Sequence, residues 1–482
     1  METPTNACEE IHFGAKTIGF MGSLSMLLNN ILGPGIANFS GLYQQAGWIV
    51  PTAFIFICVV SSLAGGEMLV MAMRLMPGNE SFQKRVEYST LCKHYFSPVA
   101  ASFCFIVFQL AMLSANIGNI IQTSQVFDQT LDTIFGDSCA LEFYPHFEFF
   151  CHTSNSDITP FGTGRILLSI GACIVAVCSL PLGYWNLDDN IIVQNVAMVL
   201  ILISMTVWLV IFLILGLDPS RVPAMRTELG LSAFHGTGGT ILFNFMFIST
   251  LPSWICEKHP AVTAKNVIFV TLVLAAVMFL LIGVGGGWAF PEYYDGDNTL
   301  LSELHLIKNR GLSVVATIFV DVYAISSNLS SIPIFSIMMR YNLIEQKVMG
   351  PALAGFVSVV LPWITSVILY CGSGFQTVVQ FAGTFTSSLV NLLVPSLLFI
   401  ASQRSSGARR ISQRTVDDEG NVSLADLAQR GNSLAEVYRD KSGLIESAQA
   451  RRRWIQLAWT NVILMTVLTI FSIADQIANG GS

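Results

Sequence analysis

Eleven apolar stretches, each near the length needed to cross a bilayer, take up most of this 482-residue chain. They run near Ile18–Tyr43, Trp48–Leu75, Val99–Val126, Gly164–Tyr184, Ile191–Leu215, Thr237–Trp254, Val267–Phe290, Leu312–Met339, Met349–Tyr370, Phe375–Ala401 and Trp454–Ile473. About 20 residues of helix span ~30 Å of hydrocarbon. Inside hydrocarbon every backbone polar group needs an internal partner, so such runs fold as helices. With 53% hydrophobic and only 11% charged residues, and a mean hydropathy of +0.62, a soluble core of this size is excluded. The expected class is an all-α polytopic membrane protein in the bilayer, with eleven transmembrane helices of which the sixth is short.

The basic residues orient it. With the N-terminus in the cytoplasm, nineteen of the 24 Lys and Arg fall on the inner side and five on the outer: Arg165, Arg221, Arg226, Lys308 and Arg310. Residues 1–17 then form a cytoplasmic tail, with Glu9 and Glu10 and no cleavable-signal pattern. Residues 403–453 form a basic cytoplasmic loop, and span eleven covers 454–475. In that loop Leu424, Leu427, Leu434 and Val437 have a loose helical spacing that fits a surface helix or a plain linker. On the outer side Asp128, Asp132, Asp137, Glu142, Glu148 and Asp157 meet no base between residues 127 and 161, and a solvated acidic loop is expected. Cys139 and Cys151 share this loop, where a disulfide between them is plausible and Cys371 is a competing partner.

Two spans at matching places in the two halves are broken in mid-membrane. The first breaks at Gly33-Pro34-Gly35 and the sixth from Phe247 to Thr250, just before Leu251-Pro252. Proline removes a backbone donor and frees a carbonyl one turn back, and glycine admits conformations that helices exclude. A break there leaves free N–H groups and a positive dipole end on one side and free carbonyls on the other. That pair of ends suits a carboxylate and an ammonium or small cation. A simple proline kink explains the first break alone, but interrupted helices in both halves are the mark of a secondary transporter's binding site.

The tract Asn29-Asn30-Ile31-Leu32-Gly33-Pro34-Gly35-Ile36 resembles the Asn-x-x-x-Gly-x-Gly-Ile break of the amino acid/auxin permease family. That family lies in the amino acid-polyamine-organocation superfamily, and the tract is nearest its sodium-coupled neutral amino acid transporters. Phe243-Asn244 through Leu251-Pro252, with Glu257-Lys258 after it, is similar to the family's sixth span. Ser330-Ser331-Ile332-Pro333 resembles its Thr-x-Pro segment. The resemblance implies a LeuT-type five-plus-five inverted repeat, residues 18–216 and 236–402, with discontinuous spans one and six. It implies that Asn30, Gly33, Gly35 and Ile36 meet substrate together with Phe247, Ser249 and Thr250. It also implies that Asn29 with Ser330 and Ser331 matches a sodium site between spans one and eight. The chain departs from the family in having Pro34 in place of a small residue and Ser331 in place of Thr.

Ionisable groups inside spans are costly and mark function. Asp321 lies ten residues before Ser331 and either gates, relays protons, binds a cation or is a satisfied structural carboxylate. Glu67 behind Gly65-Gly66 is either a packed hydrogen-bonded carboxyl or a proton site. Asn116, Asn119, Gln380 and Thr384 line the cavity or bond helix to helix. The seven histidines are scattered and no nucleotide-binding loop occurs, so neither an enzyme nor an ATP-driven pump is expected. The expectation is a secondary active carrier of amino acids, neutral ones favoured, working by alternating access with Na+ or H+ as coupling ion and no cofactor. The alternatives are a same-fold carrier for another amine or solute, or a transport-inactive nutrient receptor. Nucleic acid is not an expected partner, and the location is the plasma membrane or a vacuolar/lysosomal membrane.

Overall fold

The computed structural model describes residues 14–152, 161, 164–226, 237–245, 247–291, 300–305, 307, 309–371, 385–386, 388–405 and 448–479. In chain order the helices are α1 (Phe20–Ile31), α2 (Phe39–Ala46), α3 (Ile49–Arg74), α4 (Tyr88–Tyr95) and α5 (Pro98–Phe135). Three short strands follow, β1 (Ser138–Tyr144), β2 (Glu148–His152) and β3 (Ile166–Ser169). Next come α6 (Ile170–Tyr184), α7 (Ile191–Leu215), α8 (Thr237–Asn244), α9 (Leu251–Glu257), α10 (Ala264–Ala289), α11 (Leu300–His305) and α12 (Arg310–Glu345). The last are α13 (Pro351–Leu369), α14 (Leu389–Ser405) and α15 (Ala448–Asn479).

Among the described residues, seven helices are long and apolar enough to cross a membrane: α3, α5, α7, α10, α12, α13 and α15. The four remaining expected segments fall short for visible reasons. The first and sixth are each split into two short helices, α6 has 15 residues, and α14 begins where residues outside the description end. Local sequence sets many of the ends. Ser97 accepts from the Ala100 N–H, with Pro98 at the first position of α5, and Gly136 ends that helix at φ +84°. Ser169 caps α6 and Asn309 caps α12 in the same way. The π turns at Phe356–Val360 and Leu389–Leu393 stand just ahead of Pro362 and Pro395, whose missing N–H groups loosen the preceding turn.

Burial runs as a bundle in lipid requires. On α7, Ile192, Val196, Val199, Ile203, Val210 and Leu213 are exposed, while Gln194, Met198, Ile201, Met205 and Trp208 face inward. α12 is the central helix, packed against α5, α6, α7 and α1, and α10 packs against α1, α2, α3 and α7. Its neighbour α5 is tied to it by Asn116 Nδ2, which donates to Ser336 Oγ at 2.9 Å. Glu67 lies 3.6 Å from Lys265 Nζ, an ion pair between α3 and α10.

The strands form one antiparallel sheet in the order β2-β1-β3, with Cys139 opposite Cys151 and a disulfide joining them. Cys371 is free and buried. The expected solvated acidic loop is only partly so. Asp128 and Glu142 are buried at 0% and 1% exposure. Asp128 accepts from the Gly171 N–H at 2.9 Å, from Ser138 Oγ at 3.2 Å and from the Tyr370 hydroxyl, and Arg165 lies 3.6 Å from Glu142. Folding β1 back onto α5 brings donors to these carboxylates from residues distant in sequence, so they act as ties between the sheet, α6 and the end of α13.

Candidate functional site

Both expected breaks are present, and they touch. α1 stops at Ile31, Gly33 is extended at φ −76°, ψ −174°, and a 3-10 turn over Pro34–Asn38 leads into α2. α8 stops at Asn244, and a 3-10 turn over Ile248–Thr250 leads into α9, with Pro252 at its start. α8 packs against the Pro34–Asn38 turn. At Gly35 a Cβ would stand 2.4 Å from Asn244 Nδ2, so any side chain here would force the buried Asn244 amide to shift. The approach of the second broken span to the first thus favours glycine there.

The groups freed by the breaks are partly claimed by neighbouring helices. Tyr323 of α12, fully buried beside Trp208, donates its hydroxyl to the Gly33 carbonyl at 2.7 Å, with the Leu32 carbonyl 3.2 Å away. Asn391 of α14 accepts from the Ser249 N–H at 2.8 Å, and Thr250 Oγ1 donates to the Phe247 carbonyl at 2.7 Å. Two polar atoms at the breaks stay buried without a partner: Asn30 Nδ2 and Ser249 Oγ. Ile36, Phe247, Ser249 and Thr250 are all buried. An unpaired buried polar atom is costly until a ligand or water meets it, so each of these two atoms can receive one.

Asn29 lies near the end of α1, and its Nδ2 donates to Gln194 at both the backbone carbonyl and Oε1, each at 2.9 Å. Ser331 Oγ donates to the Ser327 carbonyl at 2.9 Å and Ser330 Oγ to the same carbonyl at 3.1 Å, so both hydroxyls bond within their own helix. Asp321 is half-buried against Thr130 of α5. Gln380 and Thr384 lie outside the described residues, as does most of the 403–453 loop.

At the end of the bundle where α1 begins, a second polar cluster ties several elements together. Arg85 reaches Glu87 at 3.0 Å and Glu257 at 3.2 Å and lies over the Tyr341 ring, 4.1 Å from its centre. Ser253 Oγ donates to Glu87 at 2.5 Å, and the Asp188 N–H donates to Glu257 at 3.1 Å. Asp188 accepts from the Ala15 N–H at 3.0 Å, the Ile18 N–H donates to the Glu257 carbonyl at 3.2 Å, and Trp254 Nε1 donates to Ser23 Oγ at 2.9 Å. The segment before α1, the tip of α9 and the start of α7 are thereby held as one. Burial pushes the Glu257 carboxyl up to about 7 against the opposing pull of Arg85.

A family model described as "Transmembrane amino acid transporter protein" matches residues 16–414. The chain belongs to that family. It is therefore a multi-pass membrane transporter and not an enzyme, and both breaks fall inside the matched range. Comparison with curated proteins finds no matching relative. Among solved structures, Mhp1 is similar over 96% of this chain and 92% of its own, with 11% identity and a TM-score of 0.55. That structure is a nucleobase-cation-symport-1 family transporter in a closed conformation with bromovinylhydantoin bound. A mutant manganese transporter of Eremococcus coleocola matches over 95% of this chain and 94% of its own, at 15% identity and a TM-score of 0.49. The likeness to Mhp1 places this amino acid transporter family member in the same fold.

Sequence reasoning missed Gln194, Tyr323, Asn391, Asn244 and the Arg85–Glu87–Asp188 group. The first three carried a usable signal, a polar side chain inside an apolar run. Asn244 stood in the quoted tract, but its contact with Gly35 joins residues 209 positions apart.

Proposed function

We propose that this chain is a secondary active transporter that carries amino acids, neutral ones favoured, by alternating access, driven by a Na+ or H+ gradient. The observation that carries the reading is the contact between the two broken spans at Gly35 and Asn244, with one buried, unpartnered polar atom in each, Asn30 Nδ2 and Ser249 Oγ. In this reading free main chain around Gly33, Gly35 and Ile36 receives the substrate carboxylate, and Phe247, Ser249 and Thr250 receive the amino group and side chain. Among the described residues neither break holds a charged side chain, which favours a substrate without a charged side chain of its own.

The chain spans the membrane eleven times in two five-helix repeats, with the N-terminus and the 403–453 loop in the cytoplasm, by the distribution of Lys and Arg. The Arg85 cluster then closes the cytoplasmic side, and its bonds must part for release inward. The test is uptake of a panel of radiolabelled amino acids into proteoliposomes under a sodium gradient, a proton gradient or neither. Uptake that one gradient raises and that Ser249→Ala or Asn30→Ala lowers supports the reading. Absence of uptake for every amino acid, in tight vesicles holding folded protein, refutes it and leaves another solute or a receptor role.

A further inference from the structure

Three carboxylates meet at the inner end of the bundle beside the Arg85 guanidinium. Arg85 lies 3.0 Å from Glu87 and 3.2 Å from Glu257, and both acids are 0% exposed. The third is Asp188. Its Oδ1 and Glu257 Oε2 both crowd the space that a side chain on Gly14 would fill, so the two carboxylates are close neighbours. The Ala15 N–H donates to Asp188 Oδ2 at 3.0 Å, whereas Asp188 Oδ1 is buried without a hydrogen-bond partner. Like charges packed this closely cannot all stay ionised away from water, and a proton on one of them removes the repulsion.

The surrounding elements bring further charged and titratable groups. Arg340 of α12 donates to the Tyr184 and Trp185 carbonyls, Lys258 Nζ to the Val262 carbonyl at 2.7 Å, and Lys16 Nζ to the Phe82 carbonyl. The Tyr341 hydroxyl lies 3.1 Å from Asn186 Oδ1 and beside Glu257, and Glu345 is half-buried on the Glu87 side. Cys256 Sγ accepts from the Val86 N–H at 3.3 Å, and the His259 N–H donates to the Ile18 carbonyl at 2.8 Å. Within this set burial, with Asp188 adding to it, pushes the Glu257 carboxyl up to about 7 against the pull of Arg85. Glu257 also carries the joint mechanically. Its carboxyl accepts from the Asp188 N–H at 3.1 Å, and its main-chain carbonyl accepts from the Ile18 N–H at 3.2 Å. When the tip of α9 parts from the segment before α1, water reaches the carboxyl and returns it to its ordinary value of 4.5. The closed cluster therefore binds more protons than the open one, so acid favours closure and a rise in pH favours opening.

We propose that Glu257 is a proton-operated latch: protonated, it lets the Arg85 cluster stay shut, and it gives its proton to cytoplasmic water as the inner mouth opens, so that acid on that side holds the transporter closed. The proposal rests on the transport reading above for the opening, but its test needs no substrate. Cys256, next to the latch and 7% exposed, is the probe. The purified full-length protein in detergent is treated with N-ethylmaleimide across about pH 5.5 to 8, and alkylation of the Cys256 peptide is followed by mass spectrometry. Dividing each rate by that of the denatured chain at the same pH removes the titration of the thiol itself. The ratio rises roughly tenfold between about pH 5.5 and 7 and by less than about twofold above, as expected of a carboxyl at about 7 when shut and 4.5 when open. In Glu257→Gln it is flat.

A flat ratio in the wild type overturns the proposal. So does a rise that persists in Glu257→Gln, which would assign the titration to another group such as His259. Cys58, fully buried in α3 away from the cluster, reports general loosening, and an equal rise there also overturns the latch. Should Glu257→Gln fail to fold, Glu87→Gln leaves Arg85 to Glu257 alone, and the rise must then end at lower pH; an unmoved rise counts against the proposal. Absence of amino acid uptake in proteoliposomes would strike the transport reading and leave the alkylation result standing.

Discussion

Gly35→Ala tests whether the two helix breaks work as one site. The added methyl would sit 2.4 Å from Asn244 Nδ2 and 2.7 Å from its Oδ1. Asn244 is 3% exposed and its Nδ2 donates to the Thr240 carbonyl at 2.8 Å, so it cannot turn aside without giving up a bond. Overpacking of this kind costs about 1–3 kcal/mol and the lost hydrogen bond about 0.5–1.5 kcal/mol, together roughly 2–4 kcal/mol. The cost falls on the arrangement in which the breaks are apposed. At about 1.4 kcal/mol per tenfold, initial uptake in proteoliposomes falls between roughly thirtyfold and several-hundredfold at equal protein.

The second half of the test is the rescue. Asn244→Ala in the Gly35→Ala background removes the obstructing amide and restores uptake to within about threefold of the Asn244→Ala single variant, the non-additivity expected of residues in contact. Uptake by Gly35→Ala close to the wild type, or a double variant no better than Gly35→Ala, would show that the contact does not control the cycle.

Other perturbations give separate readings. Asn391→Ala leaves the buried Ser249 N–H without its acceptor, a cost of about 1–3 kcal/mol, and lowers both the melting temperature and uptake, while Asn391→Asp keeps the acceptor and recovers stability. Arg85→Leu strands Glu87 and Glu257, both 0% exposed, and destabilises by about 3–5 kcal/mol, seen as lost monodisperse protein on gel filtration. Glu257 holds its proton up to about pH 7 in the fold against an ordinary value of 4.5. Its contribution to stability is therefore full below about pH 4.5 and is lost as pH rises to about 7, so a wild-type melting temperature that falls between about pH 4.5 and 7 should become flat over that range in Glu257→Gln. Peptides carrying Cys139 and Cys151 should co-elute until reduced, and Cys139→Ser should make the β1–β2 segment easier to cleave, through the loss of a loop closure of about 2–3 kcal/mol.

The broad architecture was legible because hydrocarbon leaves few choices. Apolar runs of span length become helices, and the two breaks were marked by Gly33-Pro34-Gly35 and Pro252, whose chemistry is local. Counting spans was harder wherever a helix is interrupted, since α1 with α2 and α8 with α9 are each too short to be scored as crossings by themselves. The acidic loop misled for a different reason. Asp128 looks solvated beside other acids, yet its donors Gly171, Ser138 and Tyr370 come from three separate elements, and the pairing exists only once the chain is folded.

The site shows the same divide between what a residue is and what it meets. Asn29 and Ser331 were selected because their oxygens suit a cation, and residue type alone cannot reveal that the nitrogen of Asn29 is turned to Gln194, 165 positions away. Tyr323 has the same character, since nothing in its own sequence neighbourhood says that its hydroxyl will close off the carbonyl of Gly33, 290 positions back. A broken helix advertises free main-chain groups, and the sequence can be searched for that. Which of those groups are left for a ligand is decided by side chains from α7, α12 and α14, which reach the broken spans only once the chain is folded.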